Sequence, residues 1–241
     1  MSEIVTNTFS YTGSKALENM NEAVNYNHAI LGLIEKTSSY TAESKILDFG
    51  AGVGTFSKLM RARGLKIDCL EIDAEEAAYL TQDGFTVYED LKNVADGAYD
   101  LIYSLNVLEH IEDHVGVMSD LQKKLKPGGT LFLYVPAFPS LYTEFDAMLG
   151  HFRRYKKEDL TSVLKESGYT ILDMRYYDTL GFFAAQAFKF LRFKPEHVTK
   201  TKIWIFDRII FPFNVMVDPI FRRWFGKNIY AVCTKKLNTN E

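Results

Sequence analysis

Three glycines at alternate positions, Gly50, Gly52 and Gly54, follow directly on the apolar run Ile46-Leu47-Asp48-Phe49. Glycine accepts positive φ without steric cost and lets a ligand or another backbone come close, so a turn of this kind suits a bound nucleotide. Glu71 lies 21 residues beyond Gly50, the offset at which an acid after the second strand accepts hydrogen bonds from ribose hydroxyls. Asp73 competes for that role but reads better as the cap of a helix beginning at Glu75. Further on, His110, His151, Arg153 and Arg154 supply chemistry that glycines cannot. An imidazole can accept a proton near neutral pH, and a guanidinium offers a planar fork for carboxylate or phosphate.

These groups need a scaffold that brings distant stretches to one edge. The apolar run before Gly50 reads as a buried strand, and Phe56, Leu59 and Met60 have helical spacing after it. Strand, glycine turn and helix N-terminus together make the nucleotide crevice of a doubly wound sheet. Further strands are expected at Lys66–Asp73, Phe85–Tyr88, Tyr99–Ser104, Thr130–Val135, Tyr169–Tyr176 and Asn228–Thr234. Helices are expected over Val117–Leu125, closed by Lys126-Pro127-Gly128-Gly129, and over Lys157–Ser167. The expected fold is therefore α/β, a Rossmann-like seven-stranded sheet, mostly parallel with an antiparallel last strand. The spacing G-x-G-x-G lacks the third glycine of the dinucleotide fingerprint, whose place Thr55 takes, and no Lys-Ser or Lys-Thr pair makes a phosphate loop.

Asp48-Phe49-Gly50-Ala51-Gly52-Val53-Gly54 resembles motif I of the class I S-adenosylmethionine-dependent methyltransferases. Val107-Leu108-Glu109-His110 and Leu125-Lys126-Pro127-Gly128-Gly129 resemble further hallmarks of the small members related to ubiquinone and menaquinone biosynthesis enzymes. The matches run in order over residues 46–136. The resemblance implies S-adenosylmethionine as cofactor, with Asp48, Gly50, Ala51, Gly52, Gly54, Glu71, Ile72, Asp90, Leu91 and Leu105 around it. Asp90 corresponds to the acid that meets the adenine amino group, with Glu89 adjacent as an alternative. In the ubiquinone O-methyltransferases a pattern E-x-x-E-H is a proposed metal site. Asn106 replaces its first carboxylate here, and loss of that oxygen ligand leads us to expect no metal, with Glu109 and His110 orienting a loop instead.

The stretch Pro136–Tyr155 leaves the carboxyl edge of the fifth strand, where ligands bind. Its string P-x-x-x-x-L-Y…D…LGH-x-RRY resembles a methyltransferase subgroup linked to envelope or isoprenoid pathways. We expect the acceptor to meet Tyr142, Arg154 and Tyr155, with His151 as the base if the acceptor must lose a proton. A competing reading has Arg153 and Arg154 pairing with Glu144 and Asp146 only to pin the loop. Residues 181–225 form an aromatic-rich helical insertion between strands six and seven, with 8 Lys and Arg against 3 Asp and Glu. Two readings stand for it: burial in a substrate cap or homodimer contact, or peripheral contact with a membrane or a lipid-like acceptor.

The chain of 241 residues carries a net charge of −3, with 47% hydrophobic and 24% charged residues, as in an ordinary globular protein. We divide it into lid helices over 1–40, a cofactor-binding half over 45–136, an acceptor half over 137–180, the insertion, and a last strand over 226–236. Cys69 and Cys233 lie in apolar runs and read as reduced core residues of a cytoplasmic protein, at most peripheral to the inner face of a membrane. No uncharged apolar run is long enough to span a bilayer, and no nucleic-acid motif is present. Two other functions remain open on these residues: a binding-only relative that holds the cofactor without turnover, and a Rossmann NAD(P) oxidoreductase.

Overall fold

The computed structural model describes residues 23–191 and 200–235. Residues 1–22 of the lid segment, 192–199 of the insertion and 236 of the expected last-strand span lie outside the described residues. Seven strands, β1 (Lys45–Phe49), β2 (Lys66–Leu70), β3 (Thr86–Tyr88), β4 (Tyr99–Leu105), β5 (Leu125–Pro136), β6 (Tyr169–Tyr177) and β7 (Asn228–Lys235), form one sheet in the order 3-2-1-4-5-7-6. The pairings of β1 with β2 and β4, β2 with β3, and β4 with β5 are parallel. Strand β7 runs antiparallel to both β5 and β6. The chain reverses its strand order at β1 and β4, and ligands of doubly wound sheets bind at that switch point.

The central strands are apolar on both faces because helices cover both. On one side lie α1 (Val24–Thr37), α2 (Thr55–Arg61) and α3 (Ala74–Gln82), joined in one core with Ile46, Ile67, Leu101, Phe132 and Tyr230. On the other lie α4 (His114–Lys124) and, past the short α5 (Glu144–Met148), α6 (Lys157–Glu166), packed on Leu47, Ile102, Leu131 and Ala231. Both cysteines are buried free thiols of these layers. The Lys-Pro-Gly-Gly stretch differs from its expected place. Helix α4 already ends at Lys124, and Leu125–Gly129 enters β5 as an irregular start, the register with β4 shifting between Tyr99 and Leu101. Gly128 at φ +76° makes this bulge.

Between β6 and β7 the chain makes α7 (Thr179–Phe190), α8 (Lys200–Ile205), a π-helical turn over Phe206–Ile210 and α9 (Phe211–Phe221). Among the described residues no helix is long and apolar enough to cross a membrane.

Candidate active site

At the end of β1 the three glycines all take positive φ, each with a different neighbour: Gly50 at +78°, Gly52 at +52° and Gly54 at +78°. A Cβ on Gly50 would collide with Val107 Cγ2, and one on Gly54 would stand 2.5 Å from Leu80 Cδ2. Those two glycines let the turn and α2 pack. Gly52 differs, for the nearest atom to a Cβ there is Glu76 Oε2 at 3.6 Å, which leaves an open cradle above the backbone. The turn is fixed from below by Gly50 N–H and Ala51 N–H, both donating to the Leu70 carbonyl. Glu71, buried just past β2, accepts from Gly52 N–H at 2.7 Å and from Asp73 N–H at 2.9 Å. Asp73 is the N-cap of α3, accepting from Glu75 N–H and Glu76 N–H.

The other residues expected beside a cofactor fall into two groups. Ile72 stands 78% exposed on the same edge, an apolar side chain held outward. Asp90 caps the 3₁₀ turn Leu91–Asn93 by accepting from Lys92 N–H, and Leu91 and Leu105 are half-buried along the strand ends. Asp48 does not open onto this edge. Its carboxylate is buried and accepts from Ser57 Oγ at 2.6 Å and Tyr103 Oη at 2.7 Å. Burial outweighs those bonds and raises its pKa to about 7. Asp48 therefore secures α2 on the sheet.

The loops after β4 and β5 lie against one another. Phe152 N–H donates to the Glu109 carbonyl, and Arg153 donates to the carbonyls of Ile111 and Glu112. Asp146, wholly buried, organises the second loop. One oxygen accepts from Thr143 N–H and Oγ, the reciprocal cap of α5. The other lies 3.0 Å from His151 Nδ1 and 2.8 Å from Arg154 Nε. Burial alone would raise the Asp146 pKa, but the hydrogen bond from His151 and the charge of Arg154 outweigh it and hold the group down to about 2. An ionised carboxylate only accepts, so His151 Nδ1 carries the hydrogen of this contact. Tyr142 Oη donates to the His151 carbonyl and steadies the backbone beneath it.

Arg154 is thus committed to Asp146 and to the Ala137 carbonyl, as the pinning reading expects, while Arg153 takes carbonyls and, among the described residues, no acid. Tyr155 does not join the site. Its side chain is buried in the core, its hydroxyl 2.9 Å from His114 Nδ1 and 3.3 Å from the Leu108 carbonyl. Successive residues of an extended segment point to opposite sides, so Arg154 and Tyr155 cannot both face one ligand. Asp146 as the orienting acid went unassigned from the sequence, although Thr143-x-x-Asp146 is a readable capping box.

The methyltransferase domain family matches residues 9–173, more than half of the chain. The chain belongs to the class I S-adenosylmethionine-dependent methyltransferases. A ubiquinone biosynthesis O-methyltransferase of Xanthomonas campestris is 28% identical over 100 residues, 37% of this methyltransferase and 42% of that relative. The chain thus spans less than half the length of that relative. Among solved structures, a phosphoethanolamine N-methyltransferase 2 of Haemonchus contortus in complex with S-adenosyl-L-methionine is similar at TM-score 0.58 and 15% identity, over 88% of this chain and 52% of that one. An S-adenosylmethionine dependent methyltransferase of Mesorhizobium loti is similar at TM-score 0.58 and 15% identity, over 84% and 95% of the two chains.

In this methyltransferase, Glu109, His110 and His151 meet where the two loops touch. One ligand atom from each lies within 4.8 Å of the others. The imidazoles of His110 and His151 stand edge to face at 4.6 Å, and His151 Nε2 is 4.0 Å from Glu109 Oε1. Burial, and then the neighbouring His151, push His110 down to about 4, so it is neutral at pH 7. Two imidazoles and one carboxylate are a donor set for a divalent transition ion and a poor one for magnesium or calcium. Asn106 stays outside the group, exposed at φ +54°.

Among the described residues both Glu109 oxygens are buried without a hydrogen-bond partner, and burial raises its pKa to about 8. An acid whose folded pKa is raised stabilises the fold fully below its ordinary value of 4.5 and loses that contribution as pH rises through about 8. Wild-type stability should therefore fall across that window by something on the order of a few kcal/mol. Glu109→Gln, which cannot ionise, should flatten the fall. Thermal melts of both proteins from pH 5 to pH 9 check this; parallel curves would contradict it.

Proposed function

We propose that this methyltransferase places the methyl group of S-adenosylmethionine on a hydroxyl oxygen of an apolar small-molecule acceptor. The observation that carries the reading is the Asp146–His151 pair, in which a carboxylate orients the imidazole through Nδ1 where the loops after β4 and β5 touch. A positioned base is needed where the acceptor must lose a proton, as a hydroxyl does and a neutral amine does not. The name of the Xanthomonas relative, an O-methyltransferase, agrees with that choice.

The cofactor supplies an activated methyl on a sulfonium, and bond formation at the acceptor oxygen releases the thioether. What the chain contributes is placement. Gly52, with its open cradle, and Glu71 would hold the ribose side, and exposed Ile72 with Leu91, Asp90 and Leu105 would hold the adenine side. His151 Nε2 would take the hydroxyl proton as the oxygen attacks. The main requirement is collinear approach at near-attack distance.

Support for an apolar acceptor comes from the wall beside this loop. Phe138, at φ +59°, stacks on Tyr176 at 4.7 Å and meets Phe182 of α7 at 5.2 Å, and Phe182 stacks on Phe225. Lys189 of α7 donates to the carbonyls of Ser140 and Tyr142 and so joins the inserted helices to the His151 loop.

The test is incubation with methyl-tritiated cofactor and an organic-solvent extract of cells, with and without a chelator. Label should enter the organic phase as a methyl ether, at the same rate in the chelator. Label found on nitrogen or carbon would refute the hydroxyl acceptor. Loss of activity in the chelator, restored by zinc or manganese, would instead give Glu109, His110 and His151 an ion.

A further inference from the structure

The run Lys200–Phe221 buries the wrong residues for a helix of a water-facing domain. Its buried positions are Asp207, Phe211, Asn214 and Asp218, spaced four, three and four apart. Three of these four are polar, and each is tied to backbone elsewhere. Asp207 accepts from Asn25 N–H at 3.0 Å and Tyr26 N–H at 2.8 Å. Asn214 Oδ1 accepts from Leu180 N–H, and Asp218 accepts from Thr179 N–H and Oγ.

The opposite stripe is apolar and bare. Trp204 is 52% exposed, Ile209 52%, Phe213 62%, Met216 73%, Ile220 62% and Trp224 61%. The π turn adds a residue between Trp204 and Ile209 and keeps both stripes in phase across it. An amphipathic helix normally seats its apolar face on its own protein and turns its polar face to water. Here the polar stripe is the anchor to the protein, and the apolar stripe looks away from it.

The charges around this face are of one sign. Residues 200–224 contain only two acids, Asp207 and Asp218, and both are among the buried anchors. Lys200 and Lys202 stand exposed at one end, Arg208 along the side, and Arg223 at the other end, beside Trp224. Up to Leu180 the chain carries 17 Lys and Arg against 27 Asp and Glu, so a negatively charged surface repels that part and attracts the remainder, to which this face belongs. Tryptophans near both ends of an apolar stripe, with cations beside them, match the polarity gradient of a lipid headgroup zone. A helix of this length measures roughly 33 Å at 1.5 Å per residue, and it is fixed along the domain by its polar stripe, so it lies in the interface plane.

We infer that the exposed face of Lys200–Trp224 inserts into the headgroup region of an anionic lipid bilayer and holds the protein there as a monotopic, non-spanning attachment. This attachment is independent of methyl transfer, and its test needs no acceptor. Trp204 and Trp224 are the only two tryptophans of the chain, so intrinsic fluorescence reports on this face alone.

The full chain is mixed with vesicles of phosphatidylcholine containing phosphatidylglycerol, and with vesicles of phosphatidylcholine alone, at low and high salt. With the anionic vesicles the protein should float on a density gradient, and its tryptophan emission should shift to the blue. Both effects should weaken in high salt. Phe213→Glu with Met216→Glu should abolish both, and Lys202→Glu with Arg223→Glu should weaken binding roughly fivefold or more per residue. All four side chains are exposed, so the variants should melt near the wild-type temperature, and one that does is a valid reading. A wild-type chain that neither floats nor changes emission with anionic vesicles overturns the inference. So does a chain that is dimeric without lipid and shields both tryptophans from a soluble quencher, because the face would then be a contact between two copies.

Discussion

Glu71→Ala should leave the methyltransferase folded but cost it at least about a hundredfold in affinity for S-adenosylmethionine, close to 3 kcal/mol. The Glu71 carboxylate is buried and accepts from Gly52 N–H and Asp73 N–H. Hydrogen bonds to a charged group are worth ~1.5–3 kcal/mol each. Its removal leaves the Gly52 amide without this acceptor and deletes the acid proposed to meet the ribose. Gly52→Val should have a comparable effect for a different reason. The position is held at φ +52°, and the nearest atom to an added Cβ is 3.6 Å away, so the new side chain would fill the space kept for the ligand. Calorimetric titration of the cofactor into both variants is the measurement, with thermal melts as the control for folding. Affinity near wild type in both would overturn the proposed cofactor site.

The second large effect is expected at His151. His151→Ala should bind the cofactor normally yet transfer methyl groups about 10²–10⁴ times more slowly, the range typical of removing a positioned base. Asp146→Asn should also slow transfer, because it removes the charge that fixes the tautomer, but it should lower the melting temperature as well. That carboxylate carries the α5 cap and the Arg154 pair besides His151. The two variants together separate the roles. Slow transfer by a normally stable His151→Ala marks a base, whereas normal transfer by it would show that the acceptor needs none.

The cofactor half was legible in the sequence because its logic is local. A glycine turn between a buried strand and a helix constrains its own residues, and an acid two residues before Asp73 can be placed by counting. The capping role of Asp73 followed from the same local rules. The acceptor half was less legible because its contacts join loops that the sequence holds far apart. Glu109 and His151 meet only through the β4 and β5 loops, and Arg153-Arg154-Tyr155 reads as one polar cluster until alternation sends Tyr155 into the core. Asp48 sits within the glycine motif yet serves the packing of α2, a distinction that depends on Ser57 and Tyr103. The inverted stripe of residues 200–221 was hidden by composition. A segment apolar nearly all round gives no phase, and only the partners of Asp207, Asn214 and Asp218 show which side faces the protein.

Helix α1 has no cap of its own. Ala23 precedes it and offers no side-chain acceptor, and no acid stands in its first turn. Asp207 supplies that acceptor from 182 residues away. Tyr26 of the same turn sits 2.8 Å from the Tyr134 hydroxyl and accepts from Asn228 Nδ2. Strand β7 likewise has to enter between two strands made before it. The first described helix of the polypeptide is therefore among the last to be completed. As the chain emerges from the ribosome, α1 stays uncapped until Asp207 has been synthesised. Long-range closure of this kind slows folding, and a ribosome stalled before residue 207 would release a chain in which the first amides of α1 lack their acceptor.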